Sequence, residues 1–155
     1  MIVALLILHG LLAVALLGAL THQAFSVASS AAKSDKRSFF ARFRNVNAAA
    51  YATPVVLLFL VTSLGGGLLY PDYRVEVRPA LEDLQLRAAN GIFEIKEHLV
   101  AVGLGTLPGY WFFWRTPLAP EHGSTRRYLT WLLAFLVWWA FLTCHVLNNI
   151  KGLAL

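Results

Sequence analysis

The chain has 155 residues, 58% of them hydrophobic and 14% charged, with a mean hydropathy of +0.62. A soluble domain carries about 25% charged residues, so this composition points away from water and toward a bilayer. The formal net charge of +5 does not indicate nucleic acid as a partner, because the bases flank apolar runs and form no stripe between aromatics.

Uncharged runs cover Met1 to Ala32, Asn45 to Pro71, Leu99 to Trp114 and Tyr128 to Ile150. A helix needs about 20 predominantly apolar residues to cross about 30 Å of hydrocarbon. The pattern predicts spans over residues 2–24, 47–70, 91–114 and 128–149. The third reaches full length by starting near Gly91, which puts Glu94, Lys96, Glu97 and His98 in its first turns, where long side chains snorkel to the interface. The expected fold class is all-α integral membrane, a four-transmembrane-helix bundle forming one domain over residues 1–155. The first run lacks a basic leading region and three more follow it, so it reads as a span and not as a cleaved signal.

Between the first two runs, "SDKRSFFARFR" with Lys33 sets Lys33, Lys36, Arg37, Arg42 and Arg44 against Asp35. Between the last two, "RTPLAPEHGSTRR" sets Arg115, Arg126 and Arg127 against Glu121. By the positive-inside rule this face is cytoplasmic, so both termini are expected on the outer, periplasmic side of a bacterial inner membrane. In the outer connection, "RPALEDLQLRAAN" spaces Leu81, Leu84 and Leu86 among charges, the pattern of a short amphipathic helix along the surface, bracketed by Pro71 and Gly91. Pro54 and Pro108 fall inside spans, where neighbouring helices satisfy the freed carbonyls. The glycines of "SLGGGLLY" suit close helix packing. Cys144, the single cysteine, sits in an apolar run and reads as a small core hydrophobe.

Counting residues from the span ends places His9, His98 and His145 roughly 7–12 Å below the same face, on three different helices. Intramembrane histidines are costly and mark functional sites by default. The cofactor they suit best is haem b, held by imidazoles from two helices. His98 and His145 flank adjacent ends of a helical hairpin and are the expected iron ligands, with His9 as substitute ligand or porphyrin contact. Ala101 and Gly105 share the face of His98 and leave space for a flat macrocycle, whereas Gly103 does not share it; Trp138 and Phe141 lie beneath His145. Glu94, one turn before His98, is placed to orient that imidazole. Lys96 and Glu97 read as an interfacial charged collar or a propionate contact. The His9–His22 spacing of 13 turns the second ring about 220° from the first, which excludes a shared face. Glu94, Glu97 and His98 form neither Glu-x-x-His nor His-Glu-x-x-His, so a zinc, copper or di-iron site is less supported.

Four segments, "LHGLLAVALLGAL", "RNVNAAAYATPVVLLFLVTSLGGGLLY", "FEIKEHLVAVGLGTLPGYWF" and "STRRYLTWLLAFLVWW", together resemble the bacterial four-helix membrane family that includes HemJ-type protoporphyrinogen oxidase and the copper-resistance D-type proteins. The likeness covers most of the chain. It implies haem or porphyrin handling by a histidine in the first span and a lysine opening the third, where His9 and Lys96 stand; Arg44 and Arg127 are also similar in placement. The chain departs from the pattern in lacking an Asn-Glu-x-Pro-like segment in the last span and in having Trp111 where an aromatic-His pair would end the third.

The leading expectation is a haem b electron-transfer subunit of a larger respiratory or quinol-oxidising complex, with other membrane subunits and a quinol or periplasmic cytochrome as partners besides the lipid. A HemJ-like tetrapyrrole oxidase is the second expectation. The third is a cofactor-free accessory subunit that only packs against a larger membrane complex.

Overall fold

The computed structural model of the protein describes residues 2–28, 46–115 and 119–154, with side chains to residue 149. The basic segment 33–44, Arg44 included, lies outside the described residues. Every regular element among the described residues is helical: α1 (Ile2–Ala28), a 3₁₀ turn (Ala48–Tyr51), α2 (Ala52–Asp72), a π-helical turn (Tyr73–Val77), α3 (Arg78–Asp83), α4 (Arg87–Arg115), a 3₁₀ turn (Pro120–His122) and α5 (Gly123–Ala154).

The four long helices alternate in direction, and contacts join α1 to α2, α2 to α4, α4 to α5 and α5 back to α1. The ring closes because each helix turns one regular stripe inward. On α1 the stripe is His9, Leu16, Leu20 and Gln23; on α2 it is Ala52, Val55, Phe59 and Thr62; on α4 it is Lys96, Gly103, Leu107, Tyr110 and Trp114. Spacings of three, four and seven are those of helices packed at a shallow angle. The main core joins Leu16, Leu20, Val55, Phe59, Leu107, Tyr110, Leu133 and Val137 from all four helices.

The outward faces are as apolar as the core. Val3, Leu6, Ile7 and Leu11 on α1, Leu57, Leu64 and Leu68 on α2, and Phe135, Leu142 and Val146 on α5 are all exposed. So broad an apolar surface marks a lipid-facing protein. Three helical stretches, Ile2–Ala28, Ala48–Asp83 and Pro120–Asn149, are long and apolar enough to cross a membrane, as in an integral membrane protein. Helix α4 is not among them, because the charges of its first turns leave an uncharged run only from Leu99 to Trp114.

The connection between α2 and α4 differs from the surface excursion expected after Pro71. The helical path continues through Pro71, widens into the π turn at Tyr73–Val77 and ends at Asp83. The short helix expected around Leu81 therefore extends α2 as α3. Leu81 is buried beside Ala89 and Leu147, while Leu84 and Leu86 stay exposed at the turn. That turn closes with the Leu86 N–H on the Leu81 carbonyl at 2.8 Å, and Gln85 takes the left-handed conformation at φ 58°, the geometry of a Schellman cap.

Candidate functional site

Helix α4 sets the geometry of the site by its phase. Lys96 belongs to its inward stripe and is 8% exposed. Two residues further on the helix has turned about 200°, so His98 is exposed, as are Ala101 and Gly105, which share its face. The small residues expected to make room for a macrocycle beside His98 thus line the outer surface. Gly103 faces inward and receives Phe59: a Cβ there would stand 2.5 Å from Phe59 Cζ.

His98 Nδ1 lies 2.7 Å from the Glu94 backbone oxygen. The link one turn back is therefore made by the main chain, and the Glu94 carboxylate pairs with Arg78 at 3.2 Å. His145 is also exposed, its ring parallel to Phe141 with centroids 6.3 Å apart. His98 and His145 occupy outward faces of α4 and α5.

His9 turns inward. Its ring packs on the glycines of α2, where a Cβ at Gly65 would lie 3.2 Å from Nδ1 and one at Gly66 3.3 Å from Cε1. The glycines thus seat an imidazole, in a helix that continues unbroken past them. His9 Nδ1 is buried with no hydrogen-bond partner. The Thr62 hydroxyl, on the same face of α2, is equally buried and unpartnered. Thr106 and Thr130 instead return their hydroxyls to carbonyls four residues back, each at 2.8 Å. Two spare polar atoms, His9 Nδ1 and Thr62 Oγ1, thus lie in the bundle interior, which also buries Lys96 on the inward stripe of α4.

Lys96 is held there by two neighbours. Its ammonium pairs with Glu97 and lies 3.9 Å above the Phe93 ring. Phe93 stacks on Tyr73 at a centroid separation of 3.6 Å, and the Tyr73 hydroxyl donates to Asn90 at 3.0 Å. Arg78 closes this end of the bundle by bridging Glu82 at 2.9 Å and Glu94 at 3.2 Å. The π turn brings Tyr73 and Arg78 onto the start of α4, which agrees with the tendency of such turns to occur at functional sites.

Polar groups at the opposite end are joined to one another. Tyr110 donates to Gln23 Oε1 at 2.6 Å, Gln23 donates to the Ala48 carbonyl at 2.9 Å, Tyr51 meets His22 Nδ1 at 2.8 Å, and Trp114 donates to Thr130 at 3.2 Å. Sequence reasoning passed over Gln23, Thr62 and Tyr110; the available signal was a polar group embedded in an apolar run.

The outward turn of His98 and His145 gives a haem inside the bundle no ligand pair from those two residues. His9 is the one of the three that turns inward, with an unpartnered nitrogen. Compared with protein-family models, with curated proteins and with solved structures, the chain matches none of them.

Proposed function

We propose that the chain is a four-span membrane protein of the bacterial inner membrane, with both ends on the outer side, that handles a tetrapyrrole at His9 and Lys96 as a redox subunit of a larger complex. The observation that carries this reading is the inward-turned His9 ring, whose Nδ1 is buried and unpartnered like the Thr62 hydroxyl, in a bundle that also buries Lys96. An imidazole nitrogen is an axial ligand for haem iron, and a lysine pairs with a propionate carboxylate. Haem b would supply one-electron transfer at this site, whereas an iron-free porphyrinogen would be a substrate for oxidation.

Helix α4 serves as the third span in this reading. Its Lys96–Glu97 pair reduces the cost of carrying charge into the interface, and Arg115, Arg126 and Arg127 lie toward the cytoplasm. With Cys144 replaced by serine, a cysteine at Asn149 should be labelled from outside intact cells and one at Ser124 only after permeabilisation. The reverse pattern overturns the orientation.

The functional test is a reduced-minus-oxidised absorption spectrum of detergent-purified protein, with porphyrin fluorescence measured on the same sample. Loss of the signal in His9→Ala and Lys96→Met, with His98→Ala and His145→Ala unaffected, is the expected result. A haem band lost only with His98 and His145 would favour a second reading suggested by their exposure: a haem on the lipid-facing surface shared with another subunit, exchanging electrons with a quinol or a periplasmic cytochrome. No band and no fluorescence, with all four variants assembling normally, would leave the cofactor-free accessory subunit.

A further inference from the structure

We propose that the end of the bundle where α4 turns into α5 binds the phosphate of an anionic phospholipid, with Arg126 as the fixed contact and Arg115 and Arg127 as exposed flanking charges. This surface needs only a bilayer around the chain and owes nothing to the tetrapyrrole reading.

Arginines at this end rest on aromatic rings instead of acids. The Arg126 guanidinium lies 5.8 Å from the centroid of the Trp114 ring and donates to the Ala119 carbonyl at 3.1 Å, so it is held across the turn between the two helices. Trp114 is buried and fixed in its turn by donating to Thr130. Beside these two in sequence, Arg115 stands 4.5 Å from the Trp111 ring centroid and Arg127 6.0 Å from that of Tyr128, and both arginines are exposed. Among the described residues none of the three guanidiniums pairs with a carboxylate, whereas Arg78 and Lys96 at the other end are matched by Glu82, Glu94 and Glu97. A guanidinium presents five N–H donors in a planar fork that fits phosphate oxygens, and Arg126 gives one hydrogen bond to Ala119, so donors remain for a ligand. The surface one turn deeper has the character of a lipid contact. Tyr128, Trp131 and Phe135, spaced three and four residues apart on α5, are all exposed. A molecule whose head meets the guanidiniums can lay its acyl chains along that stripe. Aromatic rings mark the headgroup level of a membrane protein, and basic clusters there attract anionic lipids. Three bases against Glu121 as the acid of this turn favour an anionic headgroup over a zwitterionic one.

The test is native mass spectrometry of the full chain, released from detergent after incubation with equal amounts of phosphatidylglycerol and phosphatidylcholine that carry the same acyl chains. The expected result is preferential retention of phosphatidylglycerol, weakened about fivefold by each of Arg115→Gln, Arg126→Gln and Arg127→Gln, the factor that one arginine contributes near an anionic surface. Arg126→Lys keeps the charge but loses the fork, so its retention should fall between that of the unaltered chain and that of Arg126→Gln. Arg74→Gln, which removes a guanidinium resting on Tyr70 at the other end, should leave the preference unchanged. If Arg126→Gln does not assemble, the exposed Arg115 and Arg127 variants still decide the matter. Equal retention of the two lipids overturns the proposal and leaves these arginines to an acidic segment of a partner protein. A preference that ignores all three glutamine variants, or an equal loss in Arg74→Gln, overturns it as well, since binding would then not belong to this end of the bundle.

Discussion

Tyr110 on α4 and Gln23 on α1 join across the bundle through a 2.6 Å hydrogen bond, and both residues are 0% exposed. Gln23 passes the connection on to the Ala48 carbonyl, so one amide ties together α1, α4 and the 3₁₀ turn that leads into α2. Tyr110→Phe strands Gln23 Oε1 and should cost about 1 kcal/mol. Gln23→Leu strands both the Tyr110 hydroxyl and the Ala48 carbonyl and should cost more. Thermal unfolding in detergent measures both, and equal losses would show that the Ala48 arm contributes nothing.

Gly103 and Gly105 offer a matched pair. Alanine at Gly103 meets the Phe59 ring and should destabilise the protein by about 1–3 kcal/mol, as overpacking does; shortening Phe59 to leucine in the same chain should recover part of the loss. Alanine at Gly105 meets nothing within 4 Å and should be neutral or slightly stabilising. Unfolding midpoints of the three proteins check the ordering.

These glycines show what the sequence displayed and what it concealed. Four apolar runs and their charged connections can be counted, and from them came the helices and the depth of each histidine. Depth is not direction: the phase of a helix is set by partners distant in sequence. The two-residue spacing of Lys96 and His98 did require that one face in if the other faced out. Phe59 settles the choice by filling the place beside Gly103, seven residues on from Lys96 and on the same face. Pro71 misled in another way. It reads as a helix end, yet the lost hydrogen bond is absorbed by a helix that widens two residues later, and no local pattern announces that repair.

Gly65 and Gly67 separate a seat from a surface. Leucine at Gly65 should expel the His9 ring, abolishing any tetrapyrrole signal. At Gly67, where no atom lies within 4 Å, leucine should preserve it. Loss of the signal in both variants would mean that bulk on α2, and not the seat of the imidazole, is responsible.

Gln85 bears the cost of the turn between α3 and α4, since its φ of 58° suits glycine better. Gln85→Gly should raise stability by about 1 kcal/mol, and Gln85→Val should lower it. An unfolding curve unchanged by valine would show that the turn does not hold this conformation in the membrane.

The polar groups divide the bundle into unlike halves. Around Gln23, donors and acceptors from several segments have already found one another, so moving there means breaking bonds that nothing nearby replaces. Around His9, an imidazole nitrogen and a hydroxyl still lack partners, so a guest that supplies them adds bonds without breaking any.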